Sequence, residues 1–110
     1  MNIYQKIKKH AGKQTHDSNI VKKDLEDGVQ AEAHKDGTIA VDKSVDLNTK
    51  KGKEIVDNEK VHLEQMKRGD LNYDNKYVYW KGKTFLRSEI NEGSKELPWE
   101  KEAYNRTENT

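Results

Sequence analysis

The sequence predicts an α+β fold from three patterns that follow one another along the chain. Alternating apolar and polar residues on both sides of Asp36-Gly37 predict a β-hairpin over residues 29–45. Apolar residues at helical spacing predict a central helix over residues 49–68. A second alternating stretch, rich in aromatic residues, predicts a smaller hairpin over residues 77–86, and a short C-terminal helix that starts at Pro98 completes the domain.

The composition limits the class of protein. The chain has 110 residues, enough for one domain, of which 31% are hydrophobic and 37% are charged. An average domain has roughly 45–50% and 25%, so we expect a small core. The 21 basic and 20 acidic residues are well mixed and give a net charge of +1, so we expect no nucleic-acid binding. The absence of cysteine excludes disulfide bonds and thiolate metal sites.

The hydropathy pattern bears on where the protein works. No apolar run approaches the roughly 20 residues that cross a membrane, so we expect no membrane partner. The first residues lack the apolar segment of a signal peptide. We therefore expect synthesis in the cytoplasm, with later incorporation into a larger particle left open.

Residues 1–28 are expected to form an N-terminal arm. Ile3, Tyr4 and Ile7 could line one face of a short helix that ends near Gly12. The rest of this stretch is polar, and such a composition does not bury enough apolar surface to fold alone. We therefore expect the arm to be flexible or to contact a partner chain.

The hairpin over residues 29–45 begins the folded part of the chain. Gly37 tolerates the positive φ that a tight turn between two strands requires. The period of two places one set of apolar side chains on the inner face: Val29, Ala31, Ala33, Ile39 and Val41.

The central helix is bounded by a cap and a stop. Asp46 or Asn48 can accept hydrogen bonds from the first free N–H groups, and Gly69 is a typical C-terminal stop. Gly52 weakens the first turn by about 1 kcal/mol relative to alanine, so the helix could also begin after it. The residues that recur at helical spacing are Ile55, Val56, Val61, His62, Leu63 and Met66.

The C-terminal third combines the second hairpin with the last helix. Tyr77–Trp80 and Thr84–Leu86 flank Lys81-Gly82-Lys83, a turn sequence. Pro98 suits the first position of a helix, and Glu100 suits its first turn near the positive end of the helix dipole. The aromatic residues of this region form either a binding face for a partner or the main core of an apolar-poor protein: Tyr73, Tyr77, Tyr79, Trp80 and Trp99.

The central helix carries a near-motif. Residues 58–62 read Asn-Glu-Lys-Val-His, one substitution from the His-Glu-x-x-His pattern of zinc peptidases. Helical positions i and i+4 share one face, so two imidazoles there can bind one zinc ion while the glutamate activates the metal-bound water. Glu59 and His62 are in place, but Asn58 stands where the first imidazole is needed.

Asn58–Gln65, followed by Leu97–Tyr104 with its Glu-x-Glu-Ala segment, resembles the small zincin metallopeptidase-like domains. The resemblance covers residues 29–106, which leaves the arm of residues 1–28 and a tail of residues 107–110. It implies a minimal zincin-like arrangement in which the motif helix precedes a proline-initiated helix that supplies a carboxylate ligand.

The resemblance also implies a role for each site residue. His62 would be a metal ligand and Glu59 the general base. Glu102, next to an alanine as in the family pattern, would be the third ligand, with Glu100 as the alternative. Asn58 would be the degenerate ligand position.

Three functions follow from this site. An amide oxygen is a poor zinc ligand, and losing one of three ligands costs several kcal/mol of metal binding, so Zn²⁺ is expected to bind weakly or not at all. The first hypothesis is therefore a catalytically impaired, zincin-like domain that acts as a binding or structural component. Because small domains that resemble this family occur in phages as well as bacteria, the resemblance allows a component of a phage or virion. It would contact a protein partner through the arm and the aromatic face. The alternatives are an active zinc peptidase with Glu59 as base, and a small assembly protein with no metal site, in which Glu100 and Glu102 only stabilise a helix N-terminus.

Overall fold

The computed structural model describes residues 2–4 and 19–108. Over these residues the predicted α+β class is confirmed, with two helices and two separate sheets. The strands are β1 Asn2–Tyr4, β2 Asn19–Lys23, β3 Ala31–His34, β4 Thr38–Asp42, β5 Leu71–Tyr73, β6 Tyr77–Trp80 and β7 Lys83–Leu86. The helices are α1 Lys50–Lys67 and α2 Pro98–Glu108, and a 3-10 turn spans Arg87–Glu89.

The predicted first hairpin is formed by β3 and β4, which pair antiparallel with Ala31 opposite Val41. Gly37 has φ 93° in the connecting turn, as its position after Asp36 predicts. The Asp36 carboxylate accepts a hydrogen bond from the Thr38 N–H at 2.9 Å, which fixes the turn.

Two segments of the predicted arm extend this sheet on both sides, in the order β1-β3-β4-β2. β1 runs parallel to β3 and β2 runs parallel to β4. The predicted helix from Ile3 is therefore wrong for Asn2–Tyr4, which is a strand; the remainder of that prediction lies outside the described residues. Pairing with β3 satisfies the backbone groups of an extended segment, whereas an isolated helix of two or three turns is marginal in water.

α1 covers one face of the sheet, and its N-cap is Thr49 rather than Asp46 or Asn48. The Gly52 N–H donates to Thr49 Oγ1 at 3.0 Å, so Gly52 lies inside the first turn. A Cβ atom on Gly52 would stand 2.1 Å from the carbonyl oxygen of Asp46, so glycine is required by a close backbone approach. The predicted stop at Gly69, with φ 90°, is confirmed.

The second hairpin is confirmed as β6 and β7, and β5 adds a third strand that the sequence analysis did not predict. Two hydrophobic clusters hold the domain. One lies between the first sheet and α1 and consists of Ala31, Ile39, Val41, Val45 and Val56. The other joins the second sheet to α2 and consists of Leu71, Tyr73, Val78, Trp80 and Trp99.

The aromatic residues therefore divide into two groups. Tyr73, Trp80 and Trp99 are core residues, and Trp99 packs edge-on against Phe85 with ring centroids 5.2 Å apart. Tyr77 and Tyr79 are only partly buried.

α2 continues through Glu108, so residues 107 and 108 of the predicted tail are helical. In the described part of the chain, neither helix has the length and apolar character needed to cross a membrane.

Candidate functional site

The motif helix and the first turn of α2 meet at a buried contact between His62 and Glu100. His62 is fully buried, and its Nε2 lies 3.1 Å from Glu100 Oε1. The two residues are 38 positions apart in the chain. Packing of α2 across α1 therefore creates this contact.

Gln65, one helical turn after His62, fixes the orientation of the imidazole. Its amide nitrogen donates to the Trp99 carbonyl at 3.1 Å and to Glu102 Oε1 at 2.9 Å. Because both donors are used, the amide oxygen faces His62 Nδ1, at 2.8 Å. Nδ1 thus carries hydrogen, and Nε2 is the nitrogen presented to Glu100.

The electrostatics of His62 follow from these neighbours. Burial by itself lowers the pKa of His62, but the hydrogen bond to Glu100 and the nearby Glu59 carboxyl outweigh it, so the pKa is raised. With Nδ1 donating to Gln65, the added proton lies on Nε2. His62 and Glu100 then form a buried imidazolium–carboxylate pair.

Glu59 and Asn58 lie beside this pair on α1. Glu59 is only 7% exposed, and burial raises its pKa to about 7, although the neighbouring His62 opposes the shift. Glu59 Oε1 and Asn58 Oδ1 are both buried and have no hydrogen-bond partner among the described residues. Both atoms can accept a hydrogen bond, so the site holds acceptor capacity that the described chain does not use.

Glu102, the first choice for the third ligand, does not face His62. Arg68 binds its two carboxylate oxygens at 2.7 and 3.1 Å, and Gln65 and Arg106 also contact it. The hydrogen bonds from Arg68 are the main reason why the pKa of Glu102 falls to about 2. The alternative, Glu100, is the carboxylate that reaches His62. Two residues along a helix differ by about 200° in direction, so Glu100 and Glu102 face opposite ways.

A cleft of about 400 Å³ opens above Asn58, Glu59 and Glu100. One wall is α1, and the opposite wall is α2 with Tyr104 and Thr107. Two loops close the ends: residues 28–30, together with the first residue of β3, and residues 91–94. Sequence analysis did not assign these loops to the site. Gly28 and Gly93 both have positive φ and lie in the turns that bring the loops to the cleft. The pairs Asp27-Gly28 and Glu92-Gly93 were the sequence signal that could have predicted these turns.

The possible metal donors are His62 Nε2, a Glu100 oxygen and the Asn58 amide oxygen. Across residues 2–4 and 19–108, no three His, Asp or Glu side chains lie together in a group that could hold a metal ion. One imidazole, one carboxylate and one neutral amide are a weaker donor set than the three His or carboxylate ligands of catalytic zinc sites. These residues do not fit a tight zinc site.

No family model, curated protein or solved structure matches this chain. The buried pair of His62 and Glu100 lies beneath the cleft, and Asn58 Oδ1 and Glu59 Oε1 have no hydrogen-bond partner among the described residues. Such a floor suits a ligand that donates hydrogen bonds or carries positive charge.

Proposed function

We propose that this chain is a zincin-like domain with an incomplete metal site, which works by binding a protein segment in the cleft above α1. The observation that carries the proposal is the contact between His62 and Glu100 beside Glu59. A motif histidine contacts a carboxylate from the proline-initiated helix, and that carboxylate lines the cleft, as expected for a zinc-peptidase-like ancestry. Asn58, one helical turn before His62, occupies the position where such a site needs a second imidazole.

The role of Gln65 supports the same ancestry. Metal-binding histidines commonly use their second ring nitrogen to donate to a carbonyl or carboxylate, which fixes the ligating nitrogen. His62 Nδ1 has such a partner in Gln65 Oε1, at 2.8 Å.

The donor set supports loss of ordinary catalysis. An asparagine oxygen adds little zinc affinity beside an imidazole, and a missing ligand costs several kcal/mol. What remains is a cleft of about 400 Å³, within the range of roughly 300–1,000 Å³ that small-molecule and side-chain pockets occupy. Binding of a partner is the function that this cleft retains. A place in a larger particle, such as a virion, would use the cleft together with the N-terminal arm.

Zinc titration tests the proposal. Calorimetry on chelator-treated protein should show weak zinc binding by the natural chain and binding about 100-fold tighter by Asn58→His, since one added ligand is worth about 3 kcal/mol or more. Asn75→His, the same change at an exposed turn position, is the matched control and should leave zinc affinity unchanged. No gain by Asn58→His would contradict the proposal and favour an assembly protein without a metal site.

An active zinc peptidase is the competing function, and one observation favours it. The pKa of Glu59 is raised to about 7 by burial, which suits a general base near neutral pH. This function needs a further ligand from outside the described residues. Stoichiometric zinc in the natural protein, together with casein hydrolysis that Glu59→Gln abolishes, would establish it.

A further inference from the structure

We propose that β2 forms the interface of a homodimer, in which the β2 strands of two copies pair antiparallel about a twofold axis at Val21 and join their sheets into one continuous sheet. β2 is an edge strand, because β4 is its one neighbour in the sheet among the described residues. An edge strand presents backbone N–H and C=O groups that can pair with another chain. The inference goes beyond the proposed function, since no residue of β2 lines the cleft.

The outward backbone groups of this edge belong to Ile20 and Lys22. The Lys43 N–H donates to the Lys23 carbonyl at 2.9 Å, so Lys23 directs its backbone groups toward β4. Successive residues of a strand direct these groups alternately to its two sides. Val21 therefore also bonds to β4, whereas Ile20 and Lys22 direct their N–H and C=O groups away from the sheet. Within the described chain these outward groups have no hydrogen-bond partner.

The β2 edge lacks the usual protection against strand pairing. Ile20 is 39% exposed and is the one large hydrophobic side chain that is exposed in the described part of the chain. A lysine that projects from an edge strand opposes pairing. The Lys22 ammonium, however, donates to the carbonyls of Asp42 and Lys43 at 3.4 and 3.3 Å and also contacts the Val45 carbonyl. Its charge thus lies over the end of β4 and not beside the open edge.

β7, an edge strand of the second sheet, provides a comparison within the same protein. The Arg87 N–H donates to the Lys76 carbonyl at 2.9 Å and extends the pairing of β7 with β6. By the same alternation, Thr84 and Leu86 direct their backbone groups outward. The exposed side chains of β7 are those of Lys83 and Thr84, one charged and one polar, so this edge carries features that disfavour pairing.

The β2 edge is complementary to itself, which identifies a second copy as the partner. In an antiparallel pair centred on Val21, Ile20 of one copy stands opposite Lys22 of the other, and the two residues exchange both hydrogen bonds. The twofold axis repeats this exchange, so every outward group of both strands is used. On one face of the sheet the two Val21 side chains meet at the axis. On the other face Ile20 packs on the aliphatic stem of Lys22.

The charges are compatible with this partner, and the size of the interface makes the dimer a weak one. The net charge of +1 causes no long-range repulsion between two copies. Across the strand pair, Lys22 faces Ile20 and Lys23 faces Asn19, so no two lysines stand directly opposite each other. β2 contributes five residues, well below the roughly 20–30 a side of a standard interface. The dimer therefore forms at high protein concentration, as inside an assembled particle.

Sedimentation velocity of the full chain, from micromolar to millimolar concentration, tests the inference. The natural protein should show a monomer–dimer equilibrium. Ile20→Pro removes one outward N–H from each copy and none that bonds to β4, so it should weaken dimerisation about 10-fold or more. Thr84→Pro makes the same change at the outward side of β7 and is the matched control, which should leave dimerisation unchanged.

Disulfide trapping tests the register and does not depend on the folding of a proline variant. Residues that face each other at a non-hydrogen-bonded position have Cα atoms about 4.5 Å apart, within the range of roughly 4.4–6.8 Å that disulfides span. The chain contains no cysteine, so Val21→Cys introduces a single thiol per copy. Mild oxidation should convert this variant to a covalent dimer. Asn75→Cys, at an exposed turn position, is the control and should crosslink far more slowly.

Three outcomes would overturn the inference. They are a natural protein that stays monomeric at millimolar concentration, an unchanged dissociation constant in Ile20→Pro that circular dichroism shows to be folded, and equal crosslinking rates for Val21→Cys and Asn75→Cys. The first outcome would assign the β2 edge to an extended segment of a different protein. None of the three bears on the cleft, whose metal history is tested by the zinc titration of Asn58→His.

Discussion

The guanidinium of Arg68, just after α1, binds both carboxylate oxygens of Glu102 in α2, at 2.7 and 3.1 Å. This bidentate pair ties the two helices that carry the candidate site. It also holds Glu102 away from His62 and leaves Glu100 as the carboxylate of the cleft. The same helix thus supplies one carboxylate to structure and another to the site.

Glu102→Gln should therefore affect stability rather than ligand binding. Loss of the charge weakens the contact with Arg68, and because the pair is partly exposed we expect a decrease of about 0.5–1 kcal/mol in the free energy of unfolding. Urea denaturation followed by tryptophan fluorescence measures it. Peptide affinity in the cleft should stay unchanged, and a 10-fold loss there would place Glu102 in the site after all.

Gln65→Leu should be more damaging than its size change suggests. It leaves the Trp99 carbonyl without the amide donor and His62 Nδ1 without its acceptor, all in fully buried positions. Each of these two unmet buried groups costs about 1–3 kcal/mol, so we expect a loss of about 2–6 kcal/mol in the free energy of unfolding. Gln30→Leu, at an exposed position, is the control, and equal losses in the two variants would argue against the network.

Gly52→Ala should destabilise the protein although alanine is the better helix former. Propensity alone predicts a gain of about 1 kcal/mol. The added Cβ would stand 2.1 Å from the Asp46 carbonyl oxygen, so the backbone must shift, and we expect a net loss of about 1–3 kcal/mol. Thermal unfolding compares this variant with Lys53→Ala, an exposed neighbour on the same helix that lacks the close approach. A higher melting temperature for Gly52→Ala would contradict the packing between α1 and residue 46.

Asp42 should make stability depend on acid pH. Its carboxylate accepts hydrogen bonds from the Ser44 hydroxyl and from the N–H groups of Leu25 and Ser44, which lowers its pKa from 3.8 to about 2. A lowered carboxyl pKa stabilises the fold above the unfolded value and loses that effect as the pH falls through the folded value. The difference in melting temperature between the natural protein and Asp42→Asn should thus be constant above about pH 5 and shrink between about pH 4 and pH 2.

Ser44→Ala provides the internal check on that pH dependence. Without the hydroxyl donor, which is the largest cause of the shift, the pKa of Asp42 rises toward its ordinary value. The acid loss of stability should then be smaller than in the natural protein and should be complete at a higher pH, because the unfolded-state pKa sets its onset and the folded-state pKa sets its end. An unchanged pH profile would mean that another carboxyl group controls acid unfolding.

Local patterns in the sequence were enough to predict the elements that depend on neighbouring residues. Asp36-Gly37 predicted the first hairpin, the spacing of apolar residues before Gly69 predicted α1, and the Lys81-Gly82-Lys83 turn predicted β6 and β7. These signals are local because turn geometry and helical periodicity involve residues a few positions apart. The i, i+4 relation of Asn58 and His62 is local in the same sense.

Only the tertiary structure decided which distant groups meet. Asn2–Tyr4 became a strand because β3 offered a backbone edge, and Tyr73 became a core residue because α2 closes over the second sheet. Likewise, sequence spacing left Glu100 and Glu102 as alternatives, and the rotation of α2 about its own axis turned Glu100 toward His62. That rotation is fixed by the burial of Trp99 and Ala103 and by the bidentate pair between Arg68 and Glu102, which join segments that are distant in the chain. The sequence alone therefore determined the kinds of side chain available to the site, and the packing of the two helices determined which of them form it.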